Sequence, residues 1–252
     1  MPVAQFVDLH CHWVHEIDDG ARTLDESSAM LQGLFALGFS HVVATPHMRP
    51  GMYDNTAASL RNAYKRTREE LGQAAKLPET SLGSEHFFDA LVVNRILQGE
   101  GLPYRRQDDE KPRRGGALLL EFLDLAPQSV VEQAVYELQR SGFLVVIAHP
   151  ERYPASWGKT QALGRLVDRG AVALLDAAAL VGKYGRRSRA AADQLLEQGF
   201  YQAACSDAHR PADVELLERA MGIVRTRYGD EEVQLLFGDG PRALLEGKRL
   251  PA

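Results

Sequence analysis

The 252-residue chain has little cysteine: Cys11 and Cys205 are the only two, so a disulfide framework cannot stabilise the fold. We interpret both as small buried hydrophobic residues. A cysteine-dependent phosphatase would need an arginine six positions after its nucleophile, and those positions hold Ile17 and Pro211. The sequence therefore disfavours cysteine-based phosphoryl chemistry.

Long apolar runs and blocks of one charge are also missing. No apolar stretch approaches the roughly 20 residues of a membrane-spanning helix, and the N-terminus has no basic segment followed by an apolar one. A net charge of −5 argues against a nucleic-acid backbone as partner. The short run 186–189 (Arg-Arg-Ser-Arg) is interpreted as a solvated helix N-terminus. We expect a cytoplasmic protein with no membrane insertion and no nucleic-acid partner.

Strand-like and helix-like segments alternate along the chain. Seven strands are predicted at 6–10, 41–46, 81–85, 117–122, 143–148, 171–176 and 200–205. Helices are predicted at 25–38, 56–76, 89–98, 127–142, 158–169, 186–198, 212–228 and 231–246. The polar segment 99–116 predicts an exposed loop. The pattern predicts one α/β domain over residues 1–252, a seven-stranded parallel barrel, with an open doubly wound sheet as the alternative.

Metal-ligand side chains follow most of the predicted strands. In the clearest case the apolar run 143–148 leads directly into His149. The carboxyl ends of the strands of a barrel surround one point, so these side chains should converge there. Mixed imidazoles and carboxylates suit manganese, iron, cobalt or zinc, and such a polynuclear site does hydrolytic chemistry. The candidate ligands are His10, His12, Asp19, His47, Glu85, Glu121, His149, Asp207 and His209.

The spacing of two ligand pairs supports this interpretation. His10 and His12 are two residues apart, so on a strand their imidazoles point to the same face. Asp207 and His209 share that alternation if their segment is extended. One such pair is weak evidence, and its weight comes from the repetition at successive strand ends.

Taken in order, these motifs resemble the PHP (polymerase and histidinol phosphatase) superfamily. More narrowly, the chain is similar to the PHP-type protein-tyrosine phosphatases of bacterial capsule and exopolysaccharide gene clusters. The resemblance runs from residue 7 to about residue 245. The motifs are Asp8-Leu-His-Cys-His12, Asp-Asp-Gly20, Ala-Thr-Pro-His47, Gly-Ser-Glu85, Leu-Glu121-Phe, His149-Pro-Glu-Arg-Tyr153 and Cys-Ser-Asp207-Ala-His209.

The resemblance implies a distorted seven-stranded barrel that holds three divalent metal ions, usually manganese. The implied ligand sets are His10, His12, Glu85 and Asp207 for the first metal, Glu85, Glu121 and His149 for the second, and Asp19, His47 and His209 for the third. Arg152 matches a family arginine expected to contact phosphate, and Arg49 and Arg210 are weaker candidates for that role. Three divalent ions carry more positive charge than the four carboxylates neutralise, which favours an anionic substrate.

Several positions depart from the family pattern. His15 stands where no histidine is expected, and either His15 or Asp18 could take the place of Asp19 at the third metal. Asp176 replaces an uncharged polar residue, and it is either an acceptor for a ligand histidine or a solvated loop acid. The loop 103–116 is longer and more charged than usual, which bears on substrate specificity.

The function implied by the resemblance is a metal-dependent phosphatase for phosphotyrosine in proteins. Its expected substrate is the tyrosine-rich tail of a bacterial tyrosine kinase that regulates polysaccharide synthesis and export. The alternatives are a small-molecule phosphatase, for histidinol phosphate or a nucleotide, and a non-catalytic metal-bound module. The complete ligand set disfavours the module, and the Asp-Asp-Gly and Glu-Arg-Tyr signatures with Arg49 favour phosphotyrosine.

Overall fold

The computed structural model describes residues 6–72, 76–104, 115–122, 128–153 and 160–250, which contain nine parallel strands in two sheets. The first sheet has the order β1-β2-β4 and the second β3-β5-β6-β7-β8-β9. The strands are β1 (Phe6–Cys11), β2 (Phe39–Ala44), β3 (His47–Met48), β4 (Glu79–Leu82), β5 (Glu85–Phe87), β6 (Gly116–Glu121), β7 (Phe143–Ala148), β8 (Val172–Asp176) and β9 (Tyr201–Cys205).

The parallel α/β architecture is confirmed, but the closed seven-stranded barrel is not, because the nine described strands form two sheets that do not close into a ring. The strand predicted at 41–46 is interrupted: β2 ends at Ala44, and the separate strand β3 begins at His47, beyond Pro46. Pro46 has no N–H for a sheet ladder, and its carbonyl oxygen accepts hydrogen bonds from the Glu85 N–H and the Ser84 hydroxyl. The segment 81–85 is likewise divided into β4 and β5.

Strand order follows chain order in both sheets. The described strands therefore lack the reversal of order that defines a doubly wound sheet. The two sheets meet where β1 ends: Cys11 forms an isolated parallel bridge with Ala208, beyond the end of β9. The Asp207 N–H donates to the His10 carbonyl at 2.9 Å, which brings the ends of β1 and β9 together.

Both faces of the second sheet are buried, as expected for parallel strands covered by helices. Alternate residues of neighbouring strands, such as Leu119, Val146 and Leu174, form an inner apolar cluster. The residues between them, such as Leu118 and Ile147, belong to the larger cluster that also contains helix residues. The sheet is thus held by apolar contacts on both sides, which leaves the strand ends for polar chemistry.

Nine α-helices are found in the described residues, and their bounds agree with most of the predicted ones. They are α1 (Leu24–Ala36), α2 (Ala57–Leu71), α3 (Ala90–Arg95), α4 (Gln128–Arg140), α5 (Gln161–Asp168), α6 (Gly185–Glu197), α7 (Pro211–Tyr228), α8 (Asp230–Gln234) and α9 (Gly240–Leu245). Residues 158–159, at the start of one predicted helix, lie outside the described residues.

Of two predictions for the periphery, one is confirmed and one is wrong. The helix predicted at 231–246 is present, because the chain is helical from Asp230 to Leu245, with a π-helical turn at Leu235–Asp239 between α8 and α9. Within it, Gly240 packs so closely on β9 that a Cβ atom there would lie 1.6 Å from the Gln202 carbonyl oxygen. The loop predicted as exposed at 99–116 begins with buried residues, because Leu102 and Tyr104 pack into the apolar core. Residues 105–114 of that loop lie outside the described residues.

Candidate metal centre

The nine predicted ligands come together at the carboxyl ends of the strands. Their nitrogen and oxygen atoms form four overlapping groups, and within each group the atoms lie within 4.8 Å of one another. The groups are His12, Asp19, His47 and His209; His10, His149 and Asp207; His10, His12 and Glu85; and His47, Glu85 and Glu121. This grouping differs from the implied sets in that Glu121 joins His47 rather than His149.

Glu85 is the central carboxylate of the site and is almost completely buried. Its Oε1 lies 2.8 Å from His149 Nε2 and 3.4 Å from His10 Nε2. Its Oε2 lies 2.9 Å from His47 Nδ1 and 3.5 Å from His12 Nε2. Glu85 is the first residue of β5 and pairs with His47 of β3, and its carboxylate lies among four imidazoles.

Asp207 and Asp19 complete the cluster on the side of β1 and β9. Asp207 Oδ1 lies 3.1 Å from His10 Nε2 and 3.5 Å from His12 Nε2. Asp19 Oδ1 lies 3.3 Å from the Nε2 atom of His47 and 3.4 Å from that of His209. Asp19 is half exposed, so this end of the cluster opens to solvent.

Hydrogen bonds outside the cluster fix the orientation of its first two histidines. His10 Nδ1 lies 2.6 Å from the Thr45 hydroxyl, and His12 Nδ1 lies 2.8 Å from the Asp18 carboxylate. Asp18 also accepts the backbone N–H of His47. With Nδ1 engaged in this way, each imidazole presents Nε2 to the centre, as metal-ligating histidines do.

The Asp-Asp-Gly motif has a steric explanation. A Cβ atom on Gly20 would lie 2.1 Å from the carbonyl oxygen of His12. The Gly20 N–H donates to Asp18 Oδ1 at 2.8 Å. A glycine at this position therefore allows the loop to fold back onto β1, so that Asp18 reaches His12 and Asp19 reaches the other histidines.

Two ligand positions have unusual backbone conformations. His149 and Asp207 have φ angles of 32° and 42°, in the left-handed region that non-glycine residues rarely adopt. The extended alternation predicted for 205–209 is therefore wrong, since β9 ends at Cys205 and the chain turns at Asp207. Such strained residues are concentrated at functional sites, where the surrounding structure maintains them.

The electrostatics of the cluster favour a bound cation. Burial lowers the pKa of His10, but Asp207 and Glu85 outweigh it and raise that pKa to about 9. Burial also lowers the pKa of His47, and Glu85 with Asp19 raises it to about 10. Burial and then Glu85 raise the pKa of the Glu121 carboxyl to about 7. The carboxylates therefore attract positive charge to the places where ligand atoms meet.

The donor atoms also fit metal ions. Several buried atoms that face the cluster make no hydrogen bond to any described residue: His10 Nε2, His12 Nε2, His47 Nδ1, His149 Nδ1, Glu121 Oε2 and Asp207 Oδ1. Buried polar atoms without a partner are rare in folded proteins. Imidazole nitrogens and carboxylate oxygens without thiolates are the donor set of catalytic transition-metal sites. The residues present thus fit divalent metal ions.

Arg152 lies beside the cluster, on the turn that follows His149. Its NH1 atom lies 2.5 Å from Asp207 Oδ2 and 3.8 Å from Asp176 Oδ2. Its guanidinium carbon lies 4.4 Å from the ring centroid of Tyr184. Although burial opposes it, Asp207 raises the pKa of Arg152, so the side chain is cationic at every ordinary pH.

The other two predicted arginines have different surroundings. Arg49 stacks its guanidinium on Phe87 at 4.2 Å and lies 3.8 Å from Glu121, at the edge of the site. Arg210 donates hydrogen bonds to the carbonyl oxygens of Asp19 and His209, at 2.8 and 2.6 Å. Arg210 therefore holds the Asp-Asp-Gly loop, whereas Arg49 lies beside the candidate ligand Glu121.

The departures from the family pattern are explained by local contacts. His15 belongs to none of the four ligand groups, because it packs on α2 with Nδ1 3.1 Å from the Thr67 hydroxyl. Asp18 orients His12 instead of joining a group. Asp176 is fully buried and accepts the N–H of Ala178, so it is not a solvated loop acid.

Sequence reasoning missed several residues that surround the cluster. Tyr53 stacks on His47 with an interplanar angle of 7°, and Asn55 donates to the His47 carbonyl oxygen. Glu151 accepts the Asp176 N–H and the Tyr201 hydroxyl behind Arg152. Glu151 falls inside the motif His149-Pro-Glu-Arg-Tyr153, which was an available signal. Tyr184 lies far from any motif, and no pattern in the sequence indicated it.

The fold and the site together define a class: an α/β protein with parallel sheets and a candidate polynuclear metal centre at its strand ends. The chain belongs to the CpsB/CapC family of capsular polysaccharide synthesis, whose family model matches residues 6–246. Among the described residues, no helix combines the length and apolar character required to cross a bilayer.

Individual relatives agree with this membership. The chain is 28% identical over 227 residues to the tyrosine-protein phosphatase YwqE of Bacillus subtilis, covering 89% of this chain and 86% of that protein. It is 23% identical over 245 residues to the tyrosine-protein phosphatase CpsB of Streptococcus pneumoniae, covering 95% and 98%.

Solved structures extend the comparison to the fold. A chain from the crystal structures of YwqE and CpsB, described as unique metal-dependent tyrosine phosphatases, superposes with a TM-score of 0.84 at 26% identity, covering 97% of this chain and 96% of that one. A lactonase from Listeria monocytogenes superposes with a TM-score of 0.61 at 12% identity, which is a likeness of fold alone.

Proposed function

We propose that this chain is a metal-dependent phosphatase that hydrolyses phosphotyrosine in proteins. The observation that carries the proposal is the convergence of nine imidazole and carboxylate side chains around Glu85, with the Arg152 guanidinium beside them. The relatives with solved structures are named metal-dependent tyrosine phosphatases, and their site residues would be the counterparts of this cluster.

We further propose three divalent ions, manganese first and iron, cobalt or zinc as alternatives, held by His10, His12, Asp19, His47, Glu85, Glu121, His149, Asp207 and His209. Divalent ions supply Lewis acidity, which makes water a nucleophile near neutral pH and offsets charge on phosphoryl oxygens. Four overlapping groups of ligand atoms give room for more than one ion. The shared position of Glu85 suits a carboxylate that links two of them.

Arg152 would hold the non-bridging oxygens of the phosphate. It is the charged side chain next to Asp207 that is not itself a ligand, and its side chain is 30% exposed, so an incoming anion can reach it. A planar guanidinium can donate two parallel hydrogen bonds to a phosphate. Arg49, which lies near Glu121 at the opposite edge, would be a second contact.

The leaving group decides between phosphotyrosine and alkyl phosphates. A tyrosine phenol with a pKa of about 10 needs little protonation as it departs, whereas an alkyl alcohol needs an acid at its oxygen. Near the site, buried Tyr153 already donates its hydroxyl hydrogen to the Ala148 carbonyl oxygen. A site organised for charge stabilisation rather than proton donation favours the aryl ester.

The proposal also includes the barrel, the cellular location and the protein substrate. We propose a seven-stranded barrel within one domain over residues 1–252. In this barrel β2 with β3 counts as one interrupted strand, and β4 with β5 as another. Cys11 and Cys205 are both unpaired, in keeping with a cytoplasmic location. The substrate would be a phosphorylated tyrosine-rich segment of a bacterial tyrosine kinase.

Elemental analysis and kinetics test the proposal together. Purified protein should contain two to three transition-metal ions per chain, as three ligand sets require, and chelation should abolish an activity that manganese restores. The kcat/KM for a phosphotyrosine peptide should exceed the values for the matched phosphoserine peptide and for histidinol phosphate. Full activity with one metal or none would overturn the metal assignment, and faster hydrolysis of histidinol phosphate would overturn the substrate assignment.

A further inference from the structure

A cleft lies outside the metal centre, between the segment after β8, helix α6 and helix α7. It has a volume of about 580 Å³. Ligand pockets for small organic molecules generally range from about 300 to 1,000 Å³. The cleft is therefore large enough for an organic side chain with its charged group, and larger than a single inorganic ion needs.

Three arginines line this cleft, which we call the arginine cleft: Arg189 from α6, and Arg219 and Arg227 from α7. One carboxylate, Asp193, lies 2.6 Å from Arg227 and 3.9 Å from Arg189. Arg219 forms no ion pair with any residue that the structure describes. Positive charge thus exceeds negative charge here, although the whole chain carries a net charge of −5.

The rest of the lining is mostly apolar and leaves an open floor. Val181 and Ile223 contribute apolar wall surface between the arginines, Leu180 is fully buried, and Thr226 adds a hydroxyl. Gly222 lies inside α7, where a glycine costs roughly 1 kcal/mol relative to alanine. A Cβ atom there would meet nothing within 4 Å, so the missing side chain is not required by packing against the protein. Apolar walls with cationic groups suit an aromatic anion.

The cleft is connected to the metal centre through one short segment. Asp176 and Tyr184 contact Arg152, while Val181 between them lines the cleft. Consecutive Cα atoms are 3.8 Å apart, so the Cα atoms of Val181 and Tyr184 are separated by no more than about 11 Å. Arg219 lies eight residues after Pro211 at the ligand end of α7, which is about 12 Å at 1.5 Å per residue, so an extended peptide needs roughly four or more residues to reach it.

We propose that the arginine cleft binds a second phosphotyrosine side chain of the same substrate polypeptide while the first occupies the metal centre. The arginines bind its phosphate, and the apolar walls contact its ring. The inference rests on the proposed function, because it takes the phosphopeptide as substrate. The enzyme would accordingly prefer segments with several phosphotyrosines over segments with one.

Peptides with one and with two phosphotyrosines test this inference. For the wild-type protein, KM should be about tenfold lower for the doubly phosphorylated peptide at the best spacing in a series of roughly two to eight residues. Arg219→Glu removes an unpaired cation, and Gly222→Leu fills the floor of the cleft. Each should raise KM for the doubly phosphorylated peptide to that of the singly phosphorylated one. Arg61→Glu, the same charge change at an exposed position on α2, should leave the tenfold difference intact.

A binding measurement separates failure of the cleft from failure of the proposed function. Fluorescence anisotropy with the metal-chelated full chain should give at least fivefold weaker binding of the doubly phosphorylated peptide to both cleft variants. This holds whether or not the peptide is hydrolysed. Equal KM values for the two peptides, or binding that Arg219→Glu leaves unchanged, would overturn the inference. The inference would also be overturned if inorganic phosphate displaced the bound peptide as effectively as free phosphotyrosine does. The cleft would then be a site for simple anions.

Discussion

Replacement of Arg152 is the most direct test of how the site handles phosphate. In the structure its guanidinium is held by Asp207 at 2.5 Å and by the face of Tyr184 at 4.4 Å, so it is positioned before any substrate arrives. Loss of one such preorganised donor in other enzymes lowers kcat by about 10² to 10³, or roughly 3 to 4 kcal/mol. We expect Arg152→Ala to lower kcat for a phosphotyrosine peptide by that factor. Arg152→Lys should restore little of the lost kcat, because an ammonium group cannot replace the two parallel donors of a planar guanidinium.

Metal content and melting temperature must be measured beside the kinetics. Arg152 is not a candidate ligand, so the variants should retain their metals and their fold. The matched control is Arg165→Ala, which removes an arginine that pairs with Glu132 on the surface between α4 and α5. An Arg152→Ala enzyme with the wild-type kcat and unchanged metal content would show that this arginine does not act on the transferred phosphoryl group.

Three further predictions concern the supporting residues. Glu85→Gln should lower metal content and kcat more than His12→Gln, because Glu85 lies within 3.5 Å of four imidazoles; elemental analysis that ranks the variants in the opposite order would contradict its central role. Gly20→Ala should lower the melting temperature and the metal content, because its Cβ would lie 2.1 Å from the His12 carbonyl oxygen. A calorimetric melting temperature equal to that of the wild type would contradict this. Burial and then Asp176 raise the pKa of Glu151 from 4.5 to about 8, so the folded state keeps a proton that the unfolded state releases. The contribution of Glu151 to the free energy of unfolding is therefore full below pH 4.5 and is lost as the pH rises to about 8. In urea titrations, Glu151→Gln should make the free energy of unfolding fall less over this pH range.

Much of the architecture could be predicted from residue patterns because strong local signals coincide with the real elements. The run 143–148 is apolar throughout, has three β-branched residues at its centre and forms β7 with identical bounds. Breaks within elements were not predicted, since they depend on contacts distant in sequence. The division of 81–85 between β4 and β5 places the two parts in different sheets, which no local pattern indicates.

The candidate site could be predicted to a similar extent, and for a related reason. Ligand residues stand at strand ends, so their convergence follows from topology once the strands are identified. The grouping of ligands around Glu85 depends instead on contacts among side chains from different strands and loops, which periodicity does not specify. Residues such as Tyr184 approach the site from a loop, where the three-dimensional path of the chain decides the contact.

The pairing of the second and third predicted strands has a functional consequence. Ala44 of β2 pairs with Leu82 of β4, and His47 of β3 pairs with Glu85 of β5. Both pairs have the same offset in sequence, so the register continues across the interruptions at 45–46 and 83–84. The second sheet thereby begins with two candidate ligands side by side, and their side chains approach to 2.9 Å. The preserved register is thus the feature that places the central carboxylate beside a candidate imidazole ligand.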